Sequence, residues 1–295
     1  MSHPLPIDSH LPEILASVRV ASHTIIKAAP GTGKTTRIPP ALLTEIQGRI
    51  LVLEPRRLAA KLSAMRIAAE LGEEIGKSCG YQIRYEGQSS ANTRILFVTE
   101  GVFTRILVDT PDLRGVGAVV IDEFHERHLH TDLALAMVSQ LIATTRPDLR
   151  LIIMSATIDT ASLETYLAEA SVFSIEGQTF PVTIEHLIRP GDVDPPQSGR
   201  DLEDRIVKAT ERMLNDHRCT GNILIFSSGM QEIRRLEQAM NAKAWGRNIL
   251  IVPLAADLPS QEQAKAFLPS QQRKIIIATN VAETSVTLPG ITGVI

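Results

Sequence analysis

The sequence predicts an α/β fold of the doubly wound kind, with parallel sheets flanked by helices, in two tandem units of which the second is incomplete. Two observations predict it. Short unbroken apolar runs recur along the 295 residues, and stretches with helical spacing lie between them. A run without polar alternation is a strand buried on both faces, and such strands belong to parallel sheets with helices on each side.

Taken in order, a first helix carries Leu11, Ile14, Leu15 and Val18 on one face, with Asp8 or Ser9 as its cap. Strands are predicted at 24–27, 50–53, 95–98, 118–121 and 151–154. Between them one helix is marked by Leu58, Leu62, Met65 and Leu71, and another by Leu133, Leu135, Met137, Val138 and Leu141. A break follows Val172–Ile175. Gly177 precedes Pro181, and residues 189–200 hold three prolines, two glycines and two aspartates, a loop by composition. The boundary is set there, giving domains 1–177 and 178–295. Beyond it the alternation resumes: helix 201–215, strand 223–226, helix 229–240, strand 249–253, helix 259–267, strand 274–278. Ile291–Ile295 reads as the start of a further buried strand at which the sequence stops.

Composition narrows the function classes. Thirty Lys and Arg against 33 Asp and Glu leave a net charge of −3, so nucleic-acid binding must come from local groups and not from overall basicity. Two distant cysteines, Cys79 and Cys219, give neither a disulfide framework nor a zinc site, and indicate a reducing, cytoplasmic setting. No run reaches the ~18 apolar residues of a membrane span, and residues 1–10 lack a basic-then-apolar leader pattern. Membrane, secreted and fibrous classes are excluded on that reading.

The sharpest motif is Ala28-Ala29-Pro30-Gly31-Thr32-Gly33-Lys34-Thr35-Thr36, between a strand and a helix. Its glycines allow successive backbone N–H groups to form a nest for phosphate, reinforced by the helix N-terminus. Lys34 is suited to bridge β- and γ-phosphates, and the Thr35 hydroxyl to ligate Mg²⁺. Ala28 stands where the pattern has glycine. The second motif is Val119-Val120-Ile121-Asp122-Glu123-Phe124-His125, a strand delivering two acids at its carboxyl end. Asp122 suits the Mg²⁺ shell and Glu123 the orientation of an attacking water. Ser155-Ala156-Thr157 also follows an apolar strand, as a γ-phosphate sensor or as a plain helix cap. His128 and His130 read as surface residues, and Cys79 and Cys219 as ordinary small side chains.

These motifs, with Glu54-Pro55-Arg56-Arg57-Leu58-Ala59-Ala60 and Thr99-Glu100-Gly101-Val102, stand in the order seen in superfamily 2 helicases. The Asp-Glu-x-His form and the Pro-Arg-Arg run resemble the DEAH-box group, and Asp-Glu-Phe-His-Glu-Arg resembles its bacterial HrpB-type branch. Ile223–Phe226 with Gly229, Pro253–Pro259 and Ala278–Ser285 are similar to motifs of the family's second domain. The resemblance implies two RecA-like domains, ATP or another nucleoside triphosphate with Mg²⁺ as cofactors, and single-stranded RNA or DNA as partner. It implies that Lys34, Asp122, Glu123 and His125 carry hydrolysis and that Arg66 faces the base. Arg56, Thr99, Gly101 and Thr279 are implied to hold the strand's sugar-phosphate backbone, and Ser155 and Thr157 to couple hydrolysis to movement. Backbone contact is sequence-independent, which fits an unremarkable net charge.

In complete relatives the second domain continues past the position of Ile295, through an arginine-finger motif worth about 10³–10⁵ in rate. The expectation is a chain that binds Mg-nucleotide but hydrolyses and unwinds poorly. Two rival readings stand beside it: a catalytically silent nucleotide- and nucleic-acid-binding remnant, and a phosphate-loop NTPase acting on protein.

Overall fold

A computed structural model describes residues 4–156, 160–167, 169–177, 181–186, 199–282 and 288–295. The chain divides into two compact units, Met1–Phe180 and Pro181–Ile295. In the first, a 3₁₀ turn (Pro6–His10) and α1 (Leu11–Val20) lead to β1 (His23–Ala28), α2 (Lys34–Leu42), β2 (Arg49–Leu53) and α3 (Arg57–Glu70). There follow β3 (Cys79–Ile83), β4 (Glu86–Gln88), β5 (Ile95–Val98), α4 (Glu100–Asp109) and β6 (Val116–Ile121). A 3₁₀ turn (Phe124–Glu126), α5 (Leu129–Thr144), β7 (Arg150–Ser155), α6 (Thr160–Tyr166) and β8 (Ser171–Ile175) complete the unit.

Among the described residues the strands form one sheet in the order β4-β3-β5-β2-β6-β7-β1-β8, parallel throughout except for the β3–β4 hairpin. Neighbouring residues of each central strand serve opposite cores, as the period of two requires. Ile26 and Val52 pack with Ile14 of α1, Ile38 of α2 and Ile67 of α3. Ile25 and Leu51 pack with Phe103 of α4 and Val138 of α5. This is why the runs are apolar without alternation: each strand has a helix layer on both sides.

The second unit holds α7 (Gly199–Leu214), β9 (Asn222–Phe226), α8 (Met230–Asn241), a 3₁₀ turn (Ala244–Asn248), β10 (Leu250–Leu254), α9 (Ser260–Ala264), β11 (Lys274–Ala278), a 3₁₀ turn (Asn280–Ala282) and β12 (Ile291–Val294). Its strands are parallel in the order β10-β11-β9-β12, so the apolar tail is indeed a strand. Ile223 and Ile225 of β9 meet Ile233, Leu236 and Met240 of α8 in a separate core. No helix of the described residues is long and apolar enough to cross a membrane.

Several local expectations are corrected. Asp8 does not cap α1: its carboxylate accepts from the Leu5 N–H at 2.8 Å and closes the preceding 3₁₀ turn. In α3 the expected marker Met65 is 45% exposed and Leu71 is exposed too. Leu58 is buried as expected, but the rest of the buried face is Ala59, Ala60, Ala64, Ile67 and Ala68, because small residues let the helix lie close to the sheet. In α5, Leu133 and Met137 are likewise exposed while Ala134, Leu135, Val138 and Ile142 are buried. The helix predicted at 259–267 spans five residues. Residues 187–198, most of the predicted loop, lie outside the described residues.

Candidate nucleotide and nucleic-acid site

The strand order sets the site. β1 and β6 are separated by β7 alone, and all three run parallel, so the loop after β1 and the acids after β6 emerge at the same edge. Two strand spacings amount to ~10 Å, within reach of a lysine and a carboxylate facing each other.

The phosphate-loop segment has the backbone its glycines predict. Gly31 and Gly33 adopt φ of +78° and +95°, left-handed values that other residues rarely hold. Gly33 is also confined sterically: a Cβ there would lie 2.6 Å from Leu5 Cδ1. The turn is closed by Thr32, whose hydroxyl donates to Ala29 O at 2.7 Å, and is braced from outside by Ile7 N donating to Thr32 O at 3.2 Å. Thr36 Oγ1 donates to Gly33 O at 3.3 Å, Ala28 is the buried end of β1, and Pro30 is exposed at the tip. Pro39 and Pro40 lie inside α2, where they remove two N–H donors.

Lys34 and the acid pair meet. Lys34 Nζ lies 3.1 Å from Glu123 Oε1, with both side chains about as buried as core residues (7% and 6% exposed). The Thr35 hydroxyl donates to Asp122 Oδ2 at 2.5 Å. Asp122 Oδ1 in turn accepts from the Glu123 N–H at 2.8 Å. Glu123 itself sits at φ 49°, ψ 38°, a left-handed conformation that costs a non-glycine residue ~1–3 kcal/mol and that clusters at functional sites. That strain aims its carboxylate back at Lys34 instead of onward along the strand.

One further acid is present that the sequence reading gave no role. Glu54, the residue after β2, is 1% exposed, and its Oε1 has no hydrogen-bond partner among the described residues. Burial, then Asp122 and Glu123, push its carboxyl well above the usual range. The sequence shows its place directly behind a buried strand, but not its burial. Burial also raises Asp122, to about 6, against the lowering pull of Lys34. Burial pulls the Lys34 ammonium down, but Asp122, Glu123 and Glu54 outweigh it and its pKa ends raised, so the lysine is charged at neutral pH.

The donor set fits magnesium with a nucleotide. Among the described residues no group of three His, Cys, Asp or Glu could hold a metal alone. A hydroxyl and a carboxylate oxygen in contact suit an ion that keeps waters and takes its remaining ligands from phosphate. The left-handed glycines supply the cradle.

His125 lies beside Glu123, Nδ1 to Oε2 at 3.3 Å, and the same nitrogen is 3.5 Å from the Ala156 N–H. One nitrogen serves one of these per tautomer: protonated it donates to Glu123, bare it accepts from Ala156. Burial, then the Lys34 charge, lowers its pKa, so the ring is neutral at pH 7. Ser155 ends β7 fully buried, with its hydroxyl unpartnered among the described residues. Thr157 lies outside the described residues.

Arg56 follows β2, and Thr99 and Gly101 follow β5. With the order β5-β2-β6, all three lie on the edge that carries the acid pair. Thr99 is the residue before α4, and the Gly101 Cα faces open space. Arg66 is on the exposed side of α3, with Nε donating to Glu70 at 3.0 Å; Glu70 also takes Arg37 of α2 at 2.9 Å. Thr279 belongs to the second unit, after β11, with its N–H on Leu254 O.

Known proteins resemble this chain along nearly all of its length. The DEAD/DEAH box helicase family pattern matches residues 10–165, and that of the helicase conserved C-terminal domain matches 205–295. The chain is 41% identical to the ATP-dependent RNA helicase HrpB of Escherichia coli over 97% of its own length and 35% of that protein's. It is 34% identical to the probable ATP-dependent RNA helicase DHR2 of Saccharomyces cerevisiae, covering 99% and 40%. A crystal structure of the E. coli DEAH/RHA helicase HrpB matches with a TM-score of 0.85 at 40% identity, covering 98% of this chain and 36% of that one. The chain thus spans about a third of the length of the curated relatives it matches. Its fold matches that of a helicase with two RecA-like domains and is similar to the HrpB type, and the chain belongs to the DEAD/DEAH box helicase family.

Proposed function

We propose that this chain is the ATP-binding core of an RNA helicase, holding Mg-ATP between residues 28–36 and the Asp122–Glu123 pair and gripping a single RNA strand by its backbone. The observation that carries this is the meeting of two motifs 87 residues apart: the Thr35 hydroxyl on Asp122, and Lys34 on Glu123. Thr35 and Asp122 would hold Mg²⁺, which neutralises phosphate charge and polarises the bond to be broken. Lys34, charged at neutral pH, would exchange Glu123 for phosphate oxygens. Glu123, released from that pair, would then be free to orient a water, with His125 as the donor that fixes its second oxygen. Arg66 would lie against the base. Arg56, Thr99 and Gly101, with Thr279, would contact sugar and phosphate, with Ser155 and Thr157 relaying between the two ligands. RNA is favoured over DNA because the relatives are named RNA helicases.

Binding tests this apart from turnover. Labelled single-stranded RNA, titrated with and without a non-hydrolysable ATP analogue and Mg²⁺, should bind in a salt-sensitive way, with an affinity that changes when nucleotide is present. Lys34→Ala should abolish the nucleotide effect and leave nucleotide-free RNA binding intact. RNA binding absent at low salt would favour instead an NTPase acting on protein.

A further inference from the structure

Residues of three segments that leave neighbouring strands are linked through Glu126 and His128. Arg56 leaves β2, Glu100 opens α4 after β5, and Glu126 lies in the 3₁₀ turn after β6. Arg56 Nε is 3.4 Å from Glu126 Oε1, with the two side chains 22% and 12% exposed. The other oxygen of Glu126 faces His128 Nε2 at 3.7 Å, and His128 Nδ1 lies 3.1 Å from Glu100 Oε1. Glu100 is fixed in turn by the Thr131 hydroxyl. The backbone of Glu126 hangs on the acid pair, its N–H donating to Glu123 O at 2.9 Å.

We propose that Glu126 is a displaceable counter-ion for Arg56, so that a single RNA strand binds by exchange, a backbone phosphate taking the place of the Glu126 carboxylate on the guanidinium. Three features support exchange over a fixed clamp. At 3.4 Å the contact is longer than a well-made charge-assisted bond of about 2.7–2.9 Å. The incoming ligand is an anion, which a carboxylate on the same guanidinium repels. The displaced carboxylate is not stranded, since His128 Nε2 stands 3.7 Å from its second oxygen and can donate to it in the Nε2–H tautomer, which exchanges the Nδ1 contact to Glu100 for this one. Because Glu126 is hydrogen-bonded through its backbone to Glu123, the exchange also reaches the turn that carries the candidate water-orienting acid. Glu126 is here a positioning residue and touches neither substrate.

This rests on the reading of Arg56 as an RNA contact, and a double-mutant cycle separates the two. The full 295-residue chain, as wild type, Glu126→Gln, Arg56→Ala and the double variant, is titrated into a labelled single-stranded oligouridylate by fluorescence anisotropy. Glu126→Gln should tighten binding roughly three- to fivefold, the upper end of the scale of one partly exposed ion pair, and Arg56→Ala should weaken it. In the Arg56→Ala background the Glu126→Gln gain should fall below about twofold, since its partner is gone. An equal gain in both backgrounds marks a general charge effect and overturns the exchange, as does unchanged or weaker binding by Glu126→Gln while Arg56→Ala still loses affinity. Undiminished binding by Arg56→Ala overturns the exchange together with the Arg56 contact itself. If Glu126→Gln does not fold, judged by its thermal melt, Glu126→Ala carries the same cycle.

Discussion

Lys34 and Glu123 show how much a single residue's setting adds to its identity. Burial opposes the charge of the ammonium, and three acids outweigh burial. His125, a few ångströms away, feels the same field with the opposite result. Its pKa is lowered, so the folded chain resists its protonation. Stability contributed by the neutral ring is present above the ordinary imidazole value of about 6.5 and is lost as pH falls below it. An NMR titration of the His125 ring should give a midpoint below that value, and Lys34→Ala should move it upward. A midpoint at or above the ordinary value would contradict the burial that lowers it. The two glycines of the loop give a second contrast. Gly31→Ala pays only for its positive φ, about 1–2 kcal/mol, because nothing lies within 4 Å of its Cβ position. Gly33→Ala also drives a methyl against Leu5, so it should lower the melting temperature further; equal effects of the two would mean that Leu5 does not brace the loop. The residue types at these positions were legible from the sequence, since Gly, Lys and Thr in that spacing have one common use. The left-handed backbone of Glu123 and the burial of Glu54 were not, because strain and desolvation depend on neighbours from other strands.

At the scale of elements, strands read more faithfully than helices. Five unbroken apolar runs in the first unit became central strands, because a strand with helices on both faces has no polar side to show. Helix faces misled, because large apolar residues drew attention from alanines. In α3 it is Ala60, Ala64 and Ala68 that meet the sheet, while Met65 points to water. Ala64→Leu should therefore overpack the core and cost about 1–3 kcal/mol in urea denaturation, whereas Met65→Ala should stay within about 0.5 kcal/mol. The reverse ranking would restore the face that the larger residues suggested. The β3–β4 hairpin escaped notice altogether: Cys79–Ile83 mixes Gly80 and Gln82 among its apolar residues, and Tyr85 at its tip takes a positive φ that favours glycine.

For the whole molecule, the first unit covers both faces of its sheet with its own helices, and the second has a separate core. Residues 1–180 expressed alone should therefore melt in one cooperative transition, and a broad, non-cooperative melt would show dependence on the rest of the chain. The proposed nucleotide binding and hydrolysis rest on one convergence, that of a lysine-bearing loop and an acid pair on a shared magnesium nucleotide. The most direct measurement is the affinity of a fluorescent ATP analogue with and without Mg²⁺ for wild type, Lys34→Ala and Asp122→Ala. Binding should be tight only with the metal, and each variant should lose at least about tenfold, the scale of one charged contact. Magnesium-dependent binding that survives both substitutions would contradict it.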